Sequence, residues 1–166
     1  MSLPIPEGPD GLTPDWLSAA LGHAVASVTV TRIGEDEGFT GGALYRLEMP
    51  DQSLIAKLSP TDPVLRKTFA SANAREVNFY REWSNGLPVP VASFAAIDTE
   101  TGASIVMMDD LGAARAVPFA RGADVRDVEA VLATFARIHA AWWEAPTLSQ
   151  LSGAAVLKEH SFAKLR

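Results

Sequence analysis

An α+β fold follows from three features of this 166-residue sequence: a short apolar strand, a long helix directly after it, and hairpin-forming stretches on both sides. The strand is Ser53-Leu54-Ile55-Ala56-Lys57-Leu58, an apolar run of strand length held between Asp51-Gln52 and Ser59-Pro60. The helix opens at Thr61-Asp62-Pro63, where Asp62 can cap the free amides and Pro63 suits the first turn, and closes near Asn85-Gly86. An antiparallel sheet of about five strands is expected, with this helix inserted after the third.

The remaining elements follow from local chemistry. Thr13 before Pro14-Asp15-Trp16-Leu17 predicts a capped N-terminal helix that Gly22 stops. Ala26 to Ile33 alternates apolar and polar residues and is rich in β-branched ones, and Ala43 to Met49 reads similarly, so two strands are expected around the loop Gly34 to Gly42. With the turn at Asp51-Gln52 they form a meander with the Ser53–Leu58 strand. Leu87-Pro88-Val89-Pro90-Val91 is expected to be extended, because each proline biases its predecessor away from helix. Ala92 to Ile97 and Ser104 to Met108 flank the polar turn Asp98 to Gly102, which predicts a second hairpin. Asp124 can cap a last helix, whose stripe Val128, Val131, Leu132, Phe135, Ile138, His139 and Trp142 has helical spacing. His139 on that stripe is expected to be a packed core histidine, and His23 and His160 have no metal-site spacing.

Composition narrows the function classes. A hydrophobic fraction of 48%, 20% charged residues and a net charge of -6 indicate a folded chain and argue against a basic nucleic-acid binder. With no cysteine, disulfides and thiolate metal sites are excluded. Met1 to Asp10 lacks the pattern of a signal peptide and no apolar run is of membrane-spanning length, so a cytoplasmic location without membrane association is expected.

Two charged residues stand out. Lys57 is the only charge in its strand and shares a face with Ile55, opposite Leu54, Ala56 and Leu58. Glu76 lies within a stripe of Phe69, Ala72, Tyr80 and Trp83 on the following helix. A strand lysine followed by a helix glutamate suggests a buried ion pair that presents an ammonium to a ligand phosphate.

The order of glycine-bearing loop, Lys57 strand, Arg75-Glu76-Val77-Asn78-Phe79-Tyr80, hairpin, Ile105-Val106-Met107-Met108-Asp109-Asp110-Leu111 and final helix resembles the N-terminal portion of protein-kinase-like small-molecule kinases. The closest resemblance is to the aminoglycoside phosphotransferase family, with the ecdysteroid-kinase-like and choline-kinase-like proteins grouped with it. It implies a kinase-like N-lobe with N-terminal helix over 1–108, a hinge and connector over 109–123, and the start of a truncated helical C-lobe over 124–166. ATP would be the cofactor, with Lys57 at its α- and β-phosphates, Glu76 orienting Lys57, and Ile55 roofing the adenine. Backbone groups of Asp109, Asp110 and Leu111 would meet the adenine edge. Gly38, Gly41 and Gly42 would let backbone amides approach phosphate, although Glu35, Asp36 and Glu37 bring negative charge to that loop, and a plain flexible hairpin is the other reading.

The implied activity is transfer of the ATP γ-phosphoryl group to the hydroxyl of an unidentified small molecule. The family's His-Gly-Asp motif is absent, since His139 is followed by Ala140-Ala141. Catalytic residues and Mg²⁺ ligands are therefore expected outside this chain, and the segment alone is expected to be inactive. The alternative is a non-catalytic nucleotide-binding or protein-interaction module. Self-association through the 124–143 helix is also expected, because the short tail after it offers little to cover its apolar stripe.

Overall fold

The computed structural model describes residues 3–34, 42–112 and 122–146. Helix α1 (Pro14–Leu21) starts as its sequence dictates: the Thr13 hydroxyl oxygen accepts the Trp16 N–H, and Gly22 ends the helix at a φ of 75°. Strands β1 (Thr29–Ile33), β2 (Ala43–Glu48) and β3 (Ser53–Leu58) follow, then α2 (Pro63–Asn78), β4 (Ala92–Ile97), β5 (Ser104–Asp109) and α3 (Val125–Trp142). The five strands form one antiparallel sheet in the order β1-β2-β3-β5-β4, so the α+β class holds and Lys57 stands on the central strand.

Alternation along the strands divides the sheet into two unlike faces. On one, Tyr45, Leu47, Leu54, Ala56, Leu58, Ile105 and Met107 join Leu12 and Leu17 of the N-terminal segment in a dry core. Trp16 caps it, packing edge-on against Phe94 and donating its indole N–H to the Pro4 carbonyl at 2.7 Å. On the opposite face α2 packs over the β4–β5 side, burying Val77 and Val106 and leaving Ile55 and Lys57 of β3 half-buried.

Expectations for α2, for the stretch after it and for the start of β1 are corrected. The buried side of α2 carries Arg66, Asn73 and Val77, while Phe69, Ala72, Glu76, Tyr80 and Trp83 flank it half-buried. Hydropathy hides the true stripe because two of its members are polar; Arg66 is accommodated by donating to the Pro60 carbonyl at 2.8 Å. At the other end of the helix, the turn Phe79–Trp83 is π-helical. The stretch after it is not extended throughout: Leu87 N–H donates to the Ser84 carbonyl and Val89 N–H to that of Leu87, with Gly86 at a φ of 77°. The prolines exclude helix there, but bends satisfy them as well as extended chain does. Strand β1 also starts later than expected, at Thr29, where its pairing with Glu48 of β2 begins.

The second hairpin turns as its residues require. Asp98 accepts the Glu100 and Thr101 N–H groups and the Thr101 hydroxyl, which together hold its carboxyl below the usual range, and Gly102 takes a φ of 73° against Ala70 of α2. On α3, Asp124 and Asp127 form a capping box. Its apolar stripe remains open: Val128, Val131, Leu132 and Phe135 are 46% to 61% exposed. His139 is exposed too and lies beside Phe135, which overturns its expected core placement. The stripe meets the rest of the described chain at its end, where Trp142 packs against Trp83 at 4.9 Å. None of the helices is long and apolar enough to cross a membrane, among the described residues.

Candidate functional site

The site is built on the half-covered sheet face at the edge of α2. Antiparallel register sets Lys57 opposite Leu44 and Val106, and Ile55 opposite Arg46 and Met108, so these side chains share one face. The Asp62 cap fixes the start of α2 by accepting the Val64 and Leu65 N–H groups at 2.8 and 2.9 Å. From there α2 carries Glu76 to the end of Lys57. Lys57 Nζ donates to Glu76 Oε1 at 2.8 Å and to Oε2 at 2.7 Å. Their side chains are 28% and 29% exposed, so the pair is partly desolvated yet reachable.

Beside this pair the π-helical turn brings in Tyr80, whose hydroxyl lies 3.8 Å from Met108 Sδ. Burial, and then the Glu76 carboxylate, push the Tyr80 phenol above its ordinary pKa and keep it neutral. Ile55, Met108 and Tyr80 thus give an apolar floor and wall next to one ammonium. An ammonium has three donors, and Glu76 engages it from one side. An anionic group at Lys57 with an apolar part over Ile55 suits this arrangement.

A second charged cluster on the same face was not read from the sequence. Asp110 follows β5, and its carboxylate accepts from Arg46 Nε at 2.7 Å and Nη2 at 3.3 Å, from Ser53 Oγ at 2.7 Å and from Gly112 N–H at 2.9 Å. Its side chain is only 9% exposed. The Ser53 hydroxyl, the Gly112 amide and the Arg46 guanidinium hold the Asp110 carboxyl down at about 2. Arg46 within the Ala43–Met49 strand is the signal that could have pointed here, by the same reasoning that singled out Lys57.

The predicted residues are thus divided among several places. Lys57, Glu76 and Ile55 come together. Asp109 is exposed and accepts the Val91 N–H, Asp110 is held by β2 and β3, and Leu111 is exposed between Asp110 and Gly112. Gly42 lies half-buried before β2, whereas Gly38 and Gly41 fall outside the described residues, as does His160. His23 is exposed and meets Gln52 at 3.3 Å. No group of three or more acidic or histidine side chains gathers as metal ligands would among the described residues. Scans against family models, curated proteins and solved structures found no match to this chain.

Proposed function

We propose that this chain is the N-terminal, ATP-binding portion of a small-molecule kinase, in which a kinase-like N-lobe over 1–108 leads through a hinge into the start of a helical lobe. The observation that supports it most is the two-oxygen contact between Lys57 on the central strand and Glu76 on the helix after it. Glu76 holds the ammonium at the end of the apolar floor, and the remaining donor of Lys57 meets phosphate oxygens. Ile55 and Met108 receive the base, and backbone groups from Asp109 to Leu111 meet its edge.

Bound ATP would supply the phosphoryl group passed to an acceptor hydroxyl. The described residues do not offer a carboxylate set for Mg²⁺, and the role of catalytic base is given to no residue of this chain. What the chain contributes is binding, orientation and charge balance at the phosphates.

The test is calorimetric titration of ATP into wild type and Lys57→Ala, with circular dichroism as the fold control. Loss of a direct ammonium–phosphate contact should weaken binding by about 10- to 100-fold. Equal affinities would remove Lys57 from the site. The alternative of a protein-interaction module draws on one observation, the open apolar stripe of α3. Absence of any ATP binding by the wild type would favour it.

A further inference from the structure

The segment after β5 is tied down from both sides, and the ties leave one residue free between them. On one side Asp109 N–H donates to the Val91 carbonyl at 2.9 Å, while Asp109 Oδ2 accepts the Val91 N–H at 3.2 Å. On the other, the Asp110 carboxylate reaches back across β3 to Ser53 and to Arg46 of β2, and forward to the Gly112 N–H. Gly112 takes a φ of 46°, a turn conformation that a side chain would strain. Between these anchors Leu111 makes no hydrogen bond through its own N–H or C=O among the described residues, and its side chain is 59% exposed.

Free peptide groups on a segment held this firmly are a preorganised donor and acceptor, three residues along the chain from Met108, the partner of Ile55 in the sheet. The Asp110 carboxylate, by contrast, is nine-tenths buried and already accepts four hydrogen bonds. It has little capacity left for a ligand.

We propose that Asp110 is a positioning residue for the base end of the bound nucleotide: by pinning the segment after β5 to β2 and β3, it sets where the free Leu111 peptide groups stand, without touching the ligand itself. This rests on the nucleotide reading of the site. Base and phosphate ends then depend on different side chains. Arg46, Ser53 and Asp110 govern the first, and Lys57 and Glu76 the second. Replacing Asp110 with asparagine keeps the shape but removes the charge that draws in Arg46, and because the Ser53 hydroxyl and the Gly112 N–H donate to different oxygens, the single amide oxygen can serve only one of them. The segment then samples other positions, and discrimination between bases suffers.

The experiment titrates wild type, Asp110→Asn and Lys57→Ala with ATP, GTP and inorganic tripolyphosphate. For Asp110→Asn, ATP affinity should fall about tenfold, as expected when one or two hydrogen bonds are misaligned, the ATP-to-GTP preference should narrow, and tripolyphosphate binding should not change. Lys57→Ala should weaken tripolyphosphate as well as ATP. Should Asp110→Asn fold poorly, Ser53→Ala removes a single donor to the same carboxylate and should shift the base preference in the same direction by less. Unchanged ATP affinity and preference in the variant, or equal losses for ATP and tripolyphosphate, would overturn the role of Asp110 while leaving the nucleotide reading standing. A wild type that binds none of the three would overturn both.

Discussion

The two carboxylate–cation pairs on one sheet face are built differently. Glu76 meets a single cation, Lys57, and both side chains are more than a quarter exposed. Asp110 is 9% exposed and gathers donors from β2, the start of β3 and its own following turn. A carboxylate satisfied by several fixed groups is a structural joint: it neutralises a cation, closes a turn and ties strands together. A carboxylate that meets one flexible ammonium from one side leaves that ammonium able to serve another anion. The contrast supports the proposed division, in which one pair holds the fold and the other meets ligand.

The largest expected effect is therefore on the joint. Asp110→Ala leaves the Arg46 guanidinium, the Ser53 hydroxyl and the Gly112 amide without their acceptor, and should lower stability by about 2 to 4 kcal/mol in urea melts. The pH dependence has a definite sign. Because the folded-state carboxyl is depressed to about 2 from the ordinary 3.8, its contribution is present above that ordinary value and is lost as pH falls through the folded one. The stability gap between wild type and Asp110→Asn should be full at pH 7 and shrink between about pH 4 and pH 2. A gap that is flat across that window would break the comparison.

The Lys57–Glu76 pair should matter less to the fold. Glu76→Ala strands a partly desolvated ammonium and is expected to cost roughly 1 to 2 kcal/mol, reduced by solvent screening at this exposure. Lys57→Met keeps volume without charge and should cost less than about 1 kcal/mol. Urea melts of the two variants check the order, and its reversal would show that Lys57 owes little to Glu76.

Much of this fold was legible because local chemistry and pattern agreed. Thr13 and Asp62 cap, Gly22 stops, Asp98 to Gly102 turns, and β3 alternates as its residues demand. The Lys57–Glu76 contact was legible too, since one charge in an apolar strand and one on a helix stripe need each other. The actual buried stripe of α2 was not, because Arg66 and Asn73 lie on it: Arg66 is held there by donating to the Pro60 carbonyl, while the buried Asn73 Nδ2 finds no hydrogen-bond partner among the described residues, and hydropathy registers neither. Asp110 was hidden for a related reason. The sequence singled out Asp109 and Asp110 only for their backbone groups, and it takes the register that brings Arg46 and Ser53 alongside to turn the Asp110 side chain into a joint. His139 misled in the opposite sense: its helical spacing is real, but the described chain leaves that stripe open.

In the proposed site, Glu76 acts on a bound phosphate only through Lys57. A double-mutant cycle tests it directly, with ATP affinity measured calorimetrically for wild type, Lys57→Met, Glu76→Gln and the double variant. Each single change should weaken ATP binding, and the double variant should bind no more weakly than Lys57→Met alone. Losses that simply add, or a Glu76→Gln variant that binds ATP as the wild type does, would contradict it.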